Sequence, residues 1–177
     1  MTLQAISAAM NRLADALRRK PGLAVHEDSG ATARWESGLR VVSTHPNGMQ
    51  VLTDMPAELG GAGGQITPGW LMRAGLAACV ATRIAMAAAS ENIALSVLEV
   101  STRSRTDARG FFGMADADGV TVDAGPKDMA VRVRIGAPGI PSQRLRTLVE
   151  TSHRCSPVSD ALCRAVPVAL EIDVDGA

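Results

Sequence analysis

Hydrophobic positions near the start of the chain recur at intervals of three and four: Leu3, Ile6, Met10, Leu13 and Leu17. That spacing predicts an amphipathic helix, ended by Pro21 and Gly22, whose apolar face needs a surface to lie on. From Ala31 the pattern becomes strand-like. Val41 and Val42 lead into the turn signal Pro46-Asn47-Gly48, and Met49 to Thr53 follow, so a hairpin is expected.

The run Gly60-Gly61-Ala62-Gly63-Gly64 leads to Thr67, a good helix N-cap, and to Pro68 at the first helical position. A helix is expected from about Pro68 to about Ser90. It is apolar nearly all round, which marks a helix buried on most faces. Beyond Asn92, Leu95 to Thr106 and Phe111 to Val122 predict two strands joined by a turn at Asp107-Ala108-Arg109-Gly110. Met129, Val131, Val133 and Ile135 alternate with Ala130, Arg132 and Arg134, the pattern of a half-buried antiparallel strand. Leu145, Leu148, Val149 and Ser152 mark a second core helix after Pro141-Ser142, and Ser156-Pro157 opens a short third one. Val166, Val168, Leu170, Ile172 and Val174 close the chain with a strictly alternating strand. Strands grouped at both ends around helices define an α+β class with antiparallel sheet, and 177 residues suit one domain.

Composition then narrows the function. Eighteen basic and eighteen acidic side chains leave no net field toward phosphates, and only Trp35, Trp70, Phe111 and Phe112 offer aromatic faces. Nucleic acid is not an expected partner. The apolar tract Leu71 to Ala89 contains Arg73 and Arg83, each costing about 2.5 to 3.5 kcal/mol at a bilayer centre, so no membrane partner is expected either. Arg18, Arg19 and Lys20 follow the first apolar run rather than precede it, and Asp15 interrupts it, unlike a secretory signal. Three cysteines, an odd number, point to a reducing cytoplasmic setting rather than a disulfide framework.

Candidate chemistry rests on those thiols. Cys79 lies among small residues in Leu76-Ala77-Ala78-Cys79-Val80-Ala81-Thr82, and composition alone favours an inert, packed cysteine there. Reactivity would need a cation to favour the thiolate, with Arg83 four residues on and Arg34 and Arg40 in the first hairpin as candidates. Cys155 precedes Ser156-Pro157 and so stands beside the positive end of the third helix, where thiolates are stabilised. Cys163, toward the other end of that helix, reads as packing. His153, His26, His45, Cys155 and Cys163 lack the paired spacing of a zinc site, and neither metal nor cofactor is expected. The glycine run fails as a dinucleotide loop, because Ile66 falls where the third glycine belongs. It fails as a Walker loop, because Trp70 follows Gly69 where lysine is needed. It reads as a tight backbone crossing.

Glu58-Leu59-Gly60-Gly61-Ala62-Gly63-Gly64, Thr67-Pro68 and Ala74-Gly75-Leu76-Ala77-Ala78-Cys79 together resemble the first motif of the OsmC/Ohr family. Ser156-Pro157-Val158-Ser159-Asp160-Ala161-Leu162 is similar to its second motif, which typically begins Cys-Pro. The resemblance covers roughly Ala31 to Val174, and it implies an N-terminal helical extension over 1–30 and an OsmC-like domain over 31–177. It further implies an intertwined homodimer, with two central helices held in antiparallel sheet and sites at the subunit interface. The implied activity is that of a thiol-dependent peroxidase. Cys79 would reduce a small organic hydroperoxide, Cys155 would resolve it as a disulfide, an external dithiol would regenerate it, and Arg40, or else Arg34, would activate it. Two positions depart from the family: Gly69 replaces an acidic residue, and Ser156 rather than Cys155 aligns with the resolving cysteine. A non-catalytic binding protein with an apolar interface pocket is the competing expectation, and a thiol-dependent hydrolase or transferase is a third.

Overall fold

The computed structural model describes residues 2–176. The Thr2 hydroxyl accepts a hydrogen bond from the Ala5 amide at 3.2 Å and starts helix α1 (Leu3–Arg19), which a 3-10 turn at Pro21–Leu23 follows. Leu3, Ile6, Met10 and Leu17 are half-buried, and the face they share lies on the next long helix, while Leu13 stays in solvent. Next come β1 (Thr32–Ser37), β2 (Arg40–Thr44) and β3 (Gln50–Thr53), an antiparallel meander with Val42 opposite Arg34 and Leu52. The expected hairpin is β2–β3. Asn47 Oδ1 accepts from the Met49 amide at 3.0 Å, and Gly48 supplies the positive φ of +88° the turn requires.

After β3 the chain folds over itself at the glycine run. Buried Asp54 accepts hydrogen bonds from the Met55 amide at 2.7 Å and the Ala62 amide at 3.0 Å. A Cβ on Gly61 would stand 1.8 Å from the Met55 carbonyl oxygen, so glycine is required there by close approach. The loop is the backbone crossing that its spacing predicted. It delivers Thr67, whose hydroxyl accepts from the Trp70 amide at 3.1 Å, to the start of helix α2 (Pro68–Ser90).

Leu76, Val80, Ile84 and Ala88, four apart, form one buried stripe along α2. They pack with Ile93, Leu145 and Leu148 into the core cluster. Length and composition would let α2 cross a membrane, yet it packs on α1 and three later elements and carries two arginines. Strand β4 (Val97–Thr106) follows, then a single helical turn α3 (Ala108–Phe111), then β5 (Pro126–Gly136) antiparallel to β4. Register sets Leu98 opposite Ile135 and Val100 opposite Val133, all packed against the α2 cluster. Glu99 and Arg134 pair at 3.7 Å on the other face. Helices α4 (Ser142–Arg154) and α5 (Pro157–Arg164) close the core over α2. The architecture is α+β with antiparallel sheets.

Two predicted strands are absent from the described residues. Phe111 to Val122 was expected to pair with β4, but Asp107 accepts from the Arg109 amide at 3.1 Å and starts α3, so the chain coils where a strand would begin. Asp116 then accepts from the Asp118 and Val120 amides, Gly113 and Gly119 adopt positive φ, and only an isolated Ala115–Thr121 bridge remains. Side-chain-to-backbone bonding overrode the β-rich composition. The Arg109 guanidinium at 2.7 Å and the Lys127 ammonium at 3.0 Å fix Asp107 at the root of this excursion. The second absence is the closing strand. Val166 to Val174 alternate as expected but pair with no described strand, and Val168, Leu170 and Ile172 are 92%, 83% and 74% exposed.

Candidate active site

Cys79 sits at mid-length in α2, half-buried, one position before the core residue Val80. What meets its sulfur is the start of α5. The α4–α5 junction is tight: the Cys155 amide bonds to Thr151 O at 3.2 Å, the Ser156 amide to His153 O at 3.2 Å, and the Asp160 amide to Ser156 O at 2.9 Å. This junction turns Ser156 inward, where it is 0% exposed, and leaves Cys155 exposed. The Ser156 hydroxyl donates to Cys79 Sγ at 3.2 Å. Serine at a helix N-cap ordinarily turns its oxygen back onto an amide of the first turn. Ser156 makes no such side-chain bond.

Two other serines line the same region. Ser152 on α4 and Ser159 on α5 are 1% and 4% exposed; their hydroxyls, and Arg83 Nη1 on α2, are buried without a hydrogen-bond partner among the described residues. Ser159 and Leu76 border a groove of about 920 Å³ that runs past Met129, Val131 and His153 to Cys163 in the last turn of α5. The groove therefore begins one helical turn from Cys79. Cys163 was expected to pack and is instead exposed.

The structure thus brings Ser156, rather than Cys155, to the Cys79 sulfur. Among the described residues no hydrogen bond runs from Arg34 or Arg40 to Cys79. Arg40 lies 3.9 Å from Glu36 across the β1–β2 turn, both side chains half exposed. Sequence reasoning placed Ser156 at its helix start but took it for a cap. The contact joins residues 77 positions apart, and no local pattern encodes it.

A free thiol at the middle of the central helix, contacted by a buried donor and set in an α+β frame of antiparallel sheets, defines a cysteine-centred protein. The family model for OsmC-like proteins matches residues 61–171, and the chain belongs to that family. An organic hydroperoxide resistance protein of Xanthomonas axonopodis pv. citri (strain 306) is 34% identical over 118 residues, covering 66% of this chain and 74% of the relative. Among solved structures, an organic hydroperoxide resistance protein of Legionella pneumophila superposes with a TM-score of 0.55 at 24% identity, over 78% of this chain and 90% of that one. An OsmC-like protein of Mycoplasma pneumoniae gives a TM-score of 0.64 at 15% identity, over 78% and 89%.

Proposed function

We propose that this chain is a thiol-dependent peroxidase that reduces organic hydroperoxides through Cys79, working in the cytoplasm as an intertwined homodimer. The observation that carries this reading is the placement of Cys79: a free, half-buried thiol in the family's central helix, with a donor on its sulfur. The name of the relatives at 34% identity supports the substrate class. In the proposed reaction the Cys79 thiolate attacks the terminal peroxide oxygen, the S–O bond forms as the O–O bond breaks, and the alkoxide leaves with a proton as the alcohol. An external dithiol then returns the sulfenic acid to the thiol and releases water.

The exposed surface supports the dimer. A folded monomer of 18.4 kDa exposes about 8,200 Å², whereas this chain exposes 13168 Å². The excess lies where one chain leaves apolar elements uncovered. No β1–β3 residue joins the α2 cluster, only five of the 23 residues of α2 are buried, and Val166 to Val174 lack a pairing edge. A second copy would cover these surfaces and bring Arg40, or failing that Arg34, from its β1–β2 hairpin toward Cys79.

Hydroperoxide consumption with a dithiol donor, run on the wild type and on Cys79→Ser, tests the activity. Loss of consumption in Cys79→Ser is the expected result. If Cys79 remains unmodified in mass spectra after one equivalent of an alkyl hydroperoxide, the reading is wrong. In that event the groove beside Leu76 and Ser159 favours a non-catalytic binding protein.

A further inference from the structure

We infer that Ser156 is a catalytic residue: its hydroxyl holds the Cys79 thiolate, and the oxidised sulfur is returned to the thiol by an external thiol alone. The inference rests on the peroxidase reading for its second half only. Three serine hydroxyls are buried where α4 and α5 pack near α2. Those of Ser152 and Ser159 have no partner among the described residues, and that of Ser156 has one, the Cys79 sulfur at 3.2 Å. A hydroxyl buried without a partner is costly, and a neutral thiol is a poor acceptor. A thiolate is a strong one. Folding Ser156 into this position is therefore satisfied best when Cys79 is ionised, and by the same linkage the buried donor favours the ionised sulfur. Ser156 makes no capping bond to its own helix, and its hydroxyl is turned to Sγ instead.

The same contact fixes the fate of the oxidised sulfur. A hydroxyl cannot close a disulfide, and the side chain that meets Sγ is Ser156 rather than a second cysteine. Cys155, the next residue toward the N-terminus, is turned out to solvent by the α4–α5 junction. The cycle then needs two equivalents of thiol from solution. Cys79–SOH and a first thiol give a mixed disulfide and water. A second thiol attacks the partner sulfur of that disulfide, releases the Cys79 thiol and leaves as the external disulfide. In sum, one hydroperoxide and two thiols give one alcohol, one water and one disulfide.

Alkylation of reduced protein by iodoacetamide at pH 7, followed on the Cys79 peptide by mass spectrometry, reads thiolate without any peroxide. A hydrogen bond to an ionised group changes the thiolate population roughly twelve- to 160-fold. The greater nucleophilicity of the less acidic thiol offsets about half of that logarithm. Ser156→Ala is thus expected to slow alkylation of Cys79 roughly three- to thirteenfold and to move its pH profile upward, and Ser156→Thr, which keeps the hydroxyl, is expected to restore both. An unchanged rate in Ser156→Ala overturns the donor role. The close isostere Ser156→Cys keeps the question open to test if the alanine variant does not fold. On oxidation with diamide it should close a disulfide between Cys79 and the introduced thiol, and failure to do so overturns the proximity on which the role depends. For the resolution step, wild-type protein treated with one equivalent of cumene hydroperoxide and then glutathione should show Cys79 as a mixed disulfide, and a Cys79–Cys155 disulfide overturns resolution from solution. Slowed alkylation in Ser156→Ala combined with no hydroperoxide consumption by the wild type would leave the donor role standing and remove the peroxidase reading.

Discussion

Leu170→Asp is expected to take the proposed homodimer apart. Leu170 is 83% exposed in the single chain and lies in an alternating segment that pairs with no described strand, so in the proposed homodimer its burial would come from the second copy. Covering a leucine side chain contributes about 1.5 to 3 kcal/mol. Two-fold symmetry counts each loss twice, about 3 to 6 kcal/mol in all, or roughly a hundred- to ten-thousandfold in the dissociation constant. The aspartate itself adds the cost of an unpaired carboxylate in an apolar interface. Sedimentation equilibrium across a hundredfold range of concentration reads this directly. Glu171→Gln is the control, because alternation points its side chain to the opposite face; it should change association by no more than about 0.5 kcal/mol. Equal dissociation constants for the two variants would refute the argument from alternation. A wild type that sediments as a concentration-independent monomer would remove the dimer itself.

The remaining outcomes are more local. Cys79→Ser should abolish dithiol-dependent hydroperoxide consumption, whereas Cys163→Ser should leave it within about twofold. Gly61→Ala drives a methyl into the Met55 carbonyl and should cost at least about 2 to 3 kcal/mol in denaturant unfolding. Gly64→Ala, which has open space around it, should be nearly neutral, and equal losses would contradict the crossing. Asp107 is held well below the usual carboxylate range by hydrogen bonds from the Arg109 and Lys127 side chains and from the Arg109 amide. A depressed folded-state value means its stabilisation is complete above the ordinary carboxylate value of 3.8 and fades as pH falls below it. Amide exchange over 107–125, corrected for intrinsic rates, should therefore accelerate below about pH 4 in the wild type, and that acid sensitivity should vanish in Asp107→Asn.

Periodicity carried much of the fold into the sequence. The apolar helix from Pro68 to Ser90, the alternation of β5 and the Thr67-Pro68 helix start are all local patterns, and each reappears where expected. Phe111 to Val122 misled because Phe111, Phe112, Val120 and Val122 suit a strand, while the groups that decide the outcome are Asp107, Asp116 and two glycines. The closing segment was legible as a pattern, but pairing is a property of two strands, and no described strand pairs with it. Cys79 could be located from its motif. Its neighbour could not, because Ser156 carries the same N-cap signal whether its hydroxyl turns back to its own helix or across to a sulfur.

Asp54 gives the glycine loop a charge economy of its own. Successive backbone amides around glycines commonly form a concave cradle that attracts an anion from outside. Here the Met55 and Ala62 amides already hold the Asp54 carboxylate, which is 2% exposed and has no ion-pair partner among the described residues. The loop brings its counter-charge with it, six residues before the first glycine of the run. Those two donors are spent on a covalently attached ligand at an effective concentration no free anion can match. A motif that in other folds opens toward nucleotides is, in this chain, a latch closed from within, and it sets the first sheet and the start of the cysteine-bearing helix at a fixed distance from one another.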